Sequence, residues 1–208
     1  MPFGGRETLV SELTDLRHRE TRSHIAATAV ALFQQAGFDE TTMADVADAS
    51  GVSRRTVYRH FPNKQDLIFE VPRQWHAQFR EMLAARAEDE TARDFTRRAI
   101  LDLVAKATME NPETVVAGYS LVLATPSLHG AHGRTDAESF ALYADALTQG
   151  LAPDAVSPLE VATAAGALVG AVNALLSVWV QVHEQADLME MATAVLDQID
   201  SIWPDAVR

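Results

Sequence analysis

Residues 41–64 read TTMADVADASGVSRRTVYRHFPNK, and this stretch decides the fold. It divides into two short helices around a tight turn. Thr42 stands at an N-cap position, and Asp45 three residues on completes a capping-box pair. Met43, Val46 and Ala47 recur at helical spacing. Gly51 supplies the left-handed residue that ends the first helix, and Val52 folds back towards the core. Ser53 is a second N-cap. The second helix spans Arg54 to Phe61 and stops before Pro62, which disfavours helical backbone at the preceding residue.

At about 100° per residue, Val57 and Phe61 share the inward face of this second helix. Arg59 points almost opposite, Arg55 and Thr56 flank it, and His60 lies beyond Thr56. Arg54 and Tyr58 border the buried stripe. Arginine matches guanine edges through two hydrogen bonds, at roughly 1–3 kcal/mol of discrimination per good pair. Threonine, tyrosine, histidine and the helix N-terminus are phosphate partners. The pattern is that of a DNA-reading head.

The chain's charge is divided in the same way. The net charge of −12 over 208 residues opposes DNA binding if spread evenly, but it is not. Residues 17–64 carry a balance of +2, residues 65–208 one of −12, and residues 1–16 one of −2. A basic head on an acidic body confines DNA contact to the head. Hydrophobic content of 48% and charged content of 22% fit a globular chain. The absence of cysteine excludes disulfides, thiolate metal sites and cysteine nucleophiles, and suits a reducing, cytoplasmic setting. The first residues, MPFGGRETLVSEL, lack the basic and apolar regions of a signal peptide.

Working outward, residues 1–16 read as an extension: a helix, an arm near DNA, or a frayed end. A first helix is expected from about Arg19 to Ala36, with Ile25, Ala29, Leu32 and Phe33 on one face and Gly37 as its stop. It completes a three-helix domain over residues 17–63. Residues 64–208 then form a helical ligand-binding and dimerisation body. Asn63 caps its first helix, which Pro72 either kinks, as a compliant joint, or replaces with a new helix after Val71. Further starts fall at Thr91, Asn111-Pro112, Thr125-Pro126, Asp136, Ser157-Pro158 and Asp187. His129 to Arg134, HGAHGR, reads as a loop. No segment has strand periodicity, so the fold class is all-α: an N-terminal helix-turn-helix domain and a C-terminal helical bundle.

These residues resemble the N-terminal domain of the TetR family of bacterial transcriptional repressors. The resemblance covers roughly residues 20–70. It rests on Ala31-Leu32-Phe33, Gly37-Phe38, Thr41-Thr42, Val46-Ala47, Ala49-x-Gly51-Val52-Ser53, Thr56-Val57-Tyr58-x-His60-Phe61 and Lys64. It implies that the segment from Ser53 to His60 enters the major groove. Arg54, Arg55, Thr56 and Arg59 then fall at base-contacting positions. Thr42, Ser53, Tyr58, His60 and Lys64 fall at phosphate-contacting ones. Arg55 stands where the family often has a small residue, which adds charge and reach. The implied partners are a palindromic double-stranded operator, a small-molecule effector of unknown identity, and a second copy of the chain.

In the body, Val161 to Val180 is free of charge. Its length meets the test for a membrane span, and Gly166-x-x-x-Gly170 fits a membrane dimer motif. Thr163, Asn173 and Ser177 interrupt it, and Glu160 and Glu184 replace basic anchors, so no membrane partner is expected. The expectation is a helix buried on all sides of a bundle. Together with the last helix it is expected to form the dimer interface, through Gly166, Gly170, Leu188, Val195 and Ile199. Trp75, Phe79, Tyr119, Phe140, Tyr143 and Trp179 are candidates for an effector pocket, though each also suits plain core. His129, His132 and His183 are too loosely patterned for a metal site. No catalytic signature or cofactor motif is present, so no enzyme is expected. The alternative is a helical ligand-binding or interaction protein without DNA binding.

Overall fold

The computed structural model describes residues 4–110, 112–152, 154–183, 185–200 and 203, with side chains described for all of these except 4–13, 15 and 110. Among the described residues every element is helical. The chain divides into two compact units, residues 1–70 and 71–208.

In the first unit, α1 runs from Gly4 to Ala36. It starts well before the expected Arg19, because no glycine or proline interrupts the chain between Arg6 and Ala36. Its 33 residues make a rod of about 50 Å. The side chains of Leu9 and Leu13 lie outside the described residues. Gly37, at φ 91°, stops the helix, its amide bonding the Phe33 carbonyl at 2.9 Å. Phe38 folds back edge-on to Phe33, with ring centroids 5.0 Å apart.

Helix α2 (Met43–Ser50) begins in the capping box expected from its sequence: Asp45 donates its amide to Thr42 Oγ1 at 3.2 Å, and Thr42 donates its own to Asp45 Oδ2 at 2.8 Å. Gly51 takes φ 70° at its end. Helix α3 (Arg54–His60) starts at Ser53, whose Oγ accepts from the Thr56 amide at 3.1 Å. Ile25, Ala29 and Phe33 of α1, Val46 and Ala47 of α2, and Val57 with Phe61 at α3 are fully buried and form the unit's core. Three turns of apolar stripe thus hold two helices too short to persist alone.

Asn63 accepts from the Asp66 amide at 3.0 Å and opens α4 (Gln65–Ile68). The chain then breaks at Phe69, and α5 runs from Glu70 to Ala84. Pro72 therefore sits in the first turn of a new helix, and does not kink a continuous one. It has no N–H for the Ile68 carbonyl and its ring crowds that carbonyl, so the helix ends just ahead of it.

The second unit contains α6 (Ala92–Glu110), α7 (Pro112–Ala124), a 3₁₀ turn (Pro126–Leu128), α8 (His129–Thr148), α9 (Pro158–Val182) and α10 (Leu188–Gln198). The expected loop at His129 to Arg134 is the first turn and a half of α8. Its two glycines cost about 1 kcal/mol each in a helix, and burial of Leu128 and Ala131 outweighs them. Ser157 and Glu160 form a second capping box at α9. One core gathers Leu147, Leu168, Leu175, Trp179, Leu188 and Leu196. Another gathers Phe79, Phe95, Ala99, Leu142 and Ala146. Arg93 grips Asp200 through both carboxylate oxygens, and Arg97 reaches Asp197 at 2.6 Å, fastening α10 and the residues just after it to α6.

By length and composition α9 would pass for a membrane span. It is not buried on all sides. Ala164, Ala165, Leu168, Leu175, Leu176 and Trp179 face the core, while Leu159, Gly166, Gly170, Ala174 and Val178 are exposed on the other face.

Candidate nucleic-acid interface

The capped turn presents α3 with one face free. Arg54, Arg55, Tyr58 and Arg59 are exposed, as is Ser53 at the N-cap. Val57 and Phe61 are wholly buried. Thr56 is half-buried, its hydroxyl 2.9 Å from Ser53 Oγ. Thr42 is exposed beside the start of α2, and its hydroxyl donates to Asp45 Oδ2 at 2.7 Å. That bond and the Thr42 amide hold the Asp45 carboxyl below its usual range. Four exposed basic or phenolic side chains and a helix N-terminus thus converge on one surface.

Two residues of the expected phosphate set lie elsewhere. His60 is only 3% exposed. Its ring packs against His18, with centroids 4.3 Å apart. Burial, then the charges of His18, Arg59 and Arg22, push its pKa down. Its Nδ1 has no partner among the described residues. Lys64 is turned inward as well. Its ammonium donates to the carbonyls of Phe38 (2.6 Å), Asp39 (3.2 Å) and Thr41 (3.0 Å), and sits 4.3 Å from the centroid of the Phe38 ring. An ammonium has three donors, and all three are used. Both expectations are therefore revised: these side chains hold the head together from within.

Sequence reasoning missed Arg22. Its Nε donates to Glu70 Oε2 at 2.7 Å, its Nη1 donates to the His60 carbonyl, and its guanidinium lies 4.2 Å from the centroid of Phe61. The partners are 38 and 48 residues away, and no local pattern announces them.

In the second unit the six aromatic candidates do not form one group. Phe79 meets Phe95 and Tyr143 edge-on, at 5.4 and 5.5 Å. Trp75, Tyr119 and Tyr143 pack partly buried against the larger core, which contains Trp179. Phe140 is exposed, its ring edge beside Gly166. Burial raises the pKa of the Tyr143 and Tyr119 phenols. The Tyr119 hydroxyl reaches the Asn173 carbonyl at 3.2 Å, and Asn173 in turn donates to Asp136 at 3.0 Å. Of the expected interface residues, Gly166 and Gly170 are exposed and Val195 and Ile199 half-buried. Leu188, 2% exposed, belongs to the chain's own core and offers no surface to a partner.

His76 joins α5 to α8. The neutral ring fits its partners, donating from Nδ1 to Glu138 Oε2 (3.2 Å) and accepting at Nε2 from Ser139 Oγ (2.8 Å). Burial lowers its pKa from 6.5, against the opposing pull of Glu138. Its stabilising effect is therefore complete above about pH 6.5 and declines as pH falls towards the lowered folded value, because the unfolded chain takes up the proton more readily. The melting temperature is expected to fall between pH 7 and pH 5, and His76→Gln to flatten that fall. An unaltered pH profile in the variant would contradict this.

The comparisons agree with this division. A family model described as bacterial regulatory proteins, tetR family, matches residues 25–71. A second, the MftR C-terminal domain, matches residues 90–204, more than half of the chain. The chain is 43% identical over 53 residues to the HTH-type transcriptional regulator AcrR of Shigella flexneri, covering 26% of this chain and 25% of that protein. It is 30% identical over 114 residues to the regulator MftR of Mycobacterium tuberculosis, covering 54% of this chain and 56% of that one. These matches span about a quarter and about half of the two relatives. The SmeT–triclosan complex matches in fold with a TM-score of 0.66 at 20% identity, over 91% of this chain and 94% of that one. A capped helix-turn-helix of matching sequence followed by a matching all-helical body means that the chain belongs to the tetR family of bacterial regulatory proteins.

Proposed function

We propose that this transcriptional regulator is a ligand-responsive repressor that binds a palindromic operator as a dimer in the cytoplasm. The observation that carries the reading is the outward face of α3, where Arg54, Arg55 and Arg59 stand exposed on a helix whose opposite face is fully buried. Arg54, Arg55, Thr56 and Arg59 read bases. Thr42, Ser53 and Tyr58 hold phosphates. Dimerisation uses the exposed apolar face of α9 around Gly166 and Gly170. Two heads then meet half-sites about 34 Å apart, or a multiple of that.

The effector is a small molecule, of the kind bound in the SmeT–triclosan complex. It enters the second unit beside Trp75, Tyr119 and Tyr143, which pack partly buried against the core that contains Trp179. Helix α5 starts on Glu70 in the first unit and continues into the second, so it is the segment through which binding is felt at the head. A coupling of roughly 1–3 kcal/mol changes DNA affinity about 5- to 150-fold.

The test is a gel shift of the full chain on the DNA upstream of its own gene. A saturable shift that excess random duplex competes poorly is the expected result. Equal competition by random duplex would contradict operator recognition and favour a ligand-binding protein without a DNA role.

A further inference from the structure

Helix α3 has seven residues and ends against Pro62, which has no N–H to offer its last carbonyls. Such a helix needs outside partners at its C-terminus. Arg22 of α1 supplies them. One edge of its guanidinium donates to the His60 carbonyl, the last of the helix, where positive charge also complements the helix dipole. The Nε edge binds Glu70 at 2.7 Å. The guanidinium carbon lies over the Phe61 ring, 4.2 Å from its centroid. The Glu70 side chain is 2% exposed and that of Arg22 15%, so water screens the pair little. Glu70 is also the first residue of α5.

We propose that Arg22 is the positioning residue for the reading helix and Glu70 its anchor, so that sequence recognition depends on this ion pair although neither side chain touches DNA. The guanidinium fork ties the end of α3 to α1 and to Glu70. This proposal rests on the DNA-binding reading above.

The experiment uses the full chain and the variants Arg22→Gln, Glu70→Gln and the double substitution. Affinity for the operator and for a random duplex is measured across a range of salt concentrations. Amide exchange at residues 59–61 is followed without DNA. Operator affinity is expected to fall about 10- to 100-fold in Arg22→Gln and less in Glu70→Gln, with random-duplex affinity within about threefold. These fall within the range of coupled polar networks. The double variant is expected to be no worse than Arg22→Gln alone, because both break one linkage. The slope of affinity against salt is expected to stay unchanged, and exchange at residues 59–61 to accelerate in all three. A slope reduced by about one in Arg22→Gln would make Arg22 a phosphate contact and overturn the proposal. Unchanged operator affinity, or additive losses, would overturn it too. No sequence preference in the unsubstituted chain would reject the DNA-binding reading and the proposal with it, whereas sequence preference kept in all three variants would overturn the proposal alone. Should Arg22→Gln fail to fold, the isosteric Glu70→Gln decides by the same criteria.

Discussion

Replacing Arg55 and Arg59 together by alanine is expected to lower operator affinity by about 30- to 20,000-fold, the equivalent of roughly 2–6 kcal/mol for two base-reading side chains removed. Both side chains are exposed on the face of α3 opposite the buried Val57. Neither supports the core, so folding should hardly change, as for ordinary surface substitutions within about 0.5 kcal/mol. The loss therefore has to appear in binding. Fluorescence anisotropy at fixed salt, on operator and on random duplex, separates the two components. Affinity for random DNA should drop far less, since only the general electrostatic part is reduced. Equal losses on both duplexes would mean that these arginines do not read bases.

Lys64→Ala is expected to destabilise the first unit by about 2–4 kcal/mol. A hydrogen bond to a charged group contributes about 1.5–3 kcal/mol, and the three at the Lys64 ammonium share one cation, so their effects do not add. The carbonyls of Phe38, Asp39 and Thr41 mark the turn that brings α1 into α2. Without the ammonium that turn opens and the cap of α2 loses its support. Amide exchange across α2 and α3 should accelerate, with Lys64→Met, which keeps an apolar side chain of similar length without the charge, intermediate. The salt slope of DNA binding should not change. A slope lowered by about one with unaltered exchange would restore Lys64 as a phosphate contact.

The local features of the head were legible because they act over three or four residues. Thr42 with Asp45, Ser53, Gly51 and Pro62 each impose a backbone condition on their neighbours, and each appears where the spacing put it. The inward pair Val57 and Phe61 follows from helical period alone. His60 and Lys64 were misplaced because their partners come from α1 and the turn after it, 23 to 42 residues away. A basic or imidazole side chain near a reading helix looks the same in sequence whether it faces DNA or a carbonyl. The Arg22–Glu70 pair was invisible for the same reason. In the body, the caps at Ser157 and Asp187 were readable. The one-sided burial of α9 was not, since alanine and glycine carry too little hydropathy to mark a face. The glycines of the segment 129–134 argued for a loop until tertiary burial of Leu128 and Ala131 decided otherwise.

Selection of bound duplexes from a random pool by the full chain is expected to enrich one sequence with two-fold symmetry, its half-sites about 34 Å apart or a multiple of that, with a guanine preference within each half-site that weakens when Arg59 is replaced by alanine. A pool that stays random after repeated rounds, with binding set by salt alone, would contradict operator recognition.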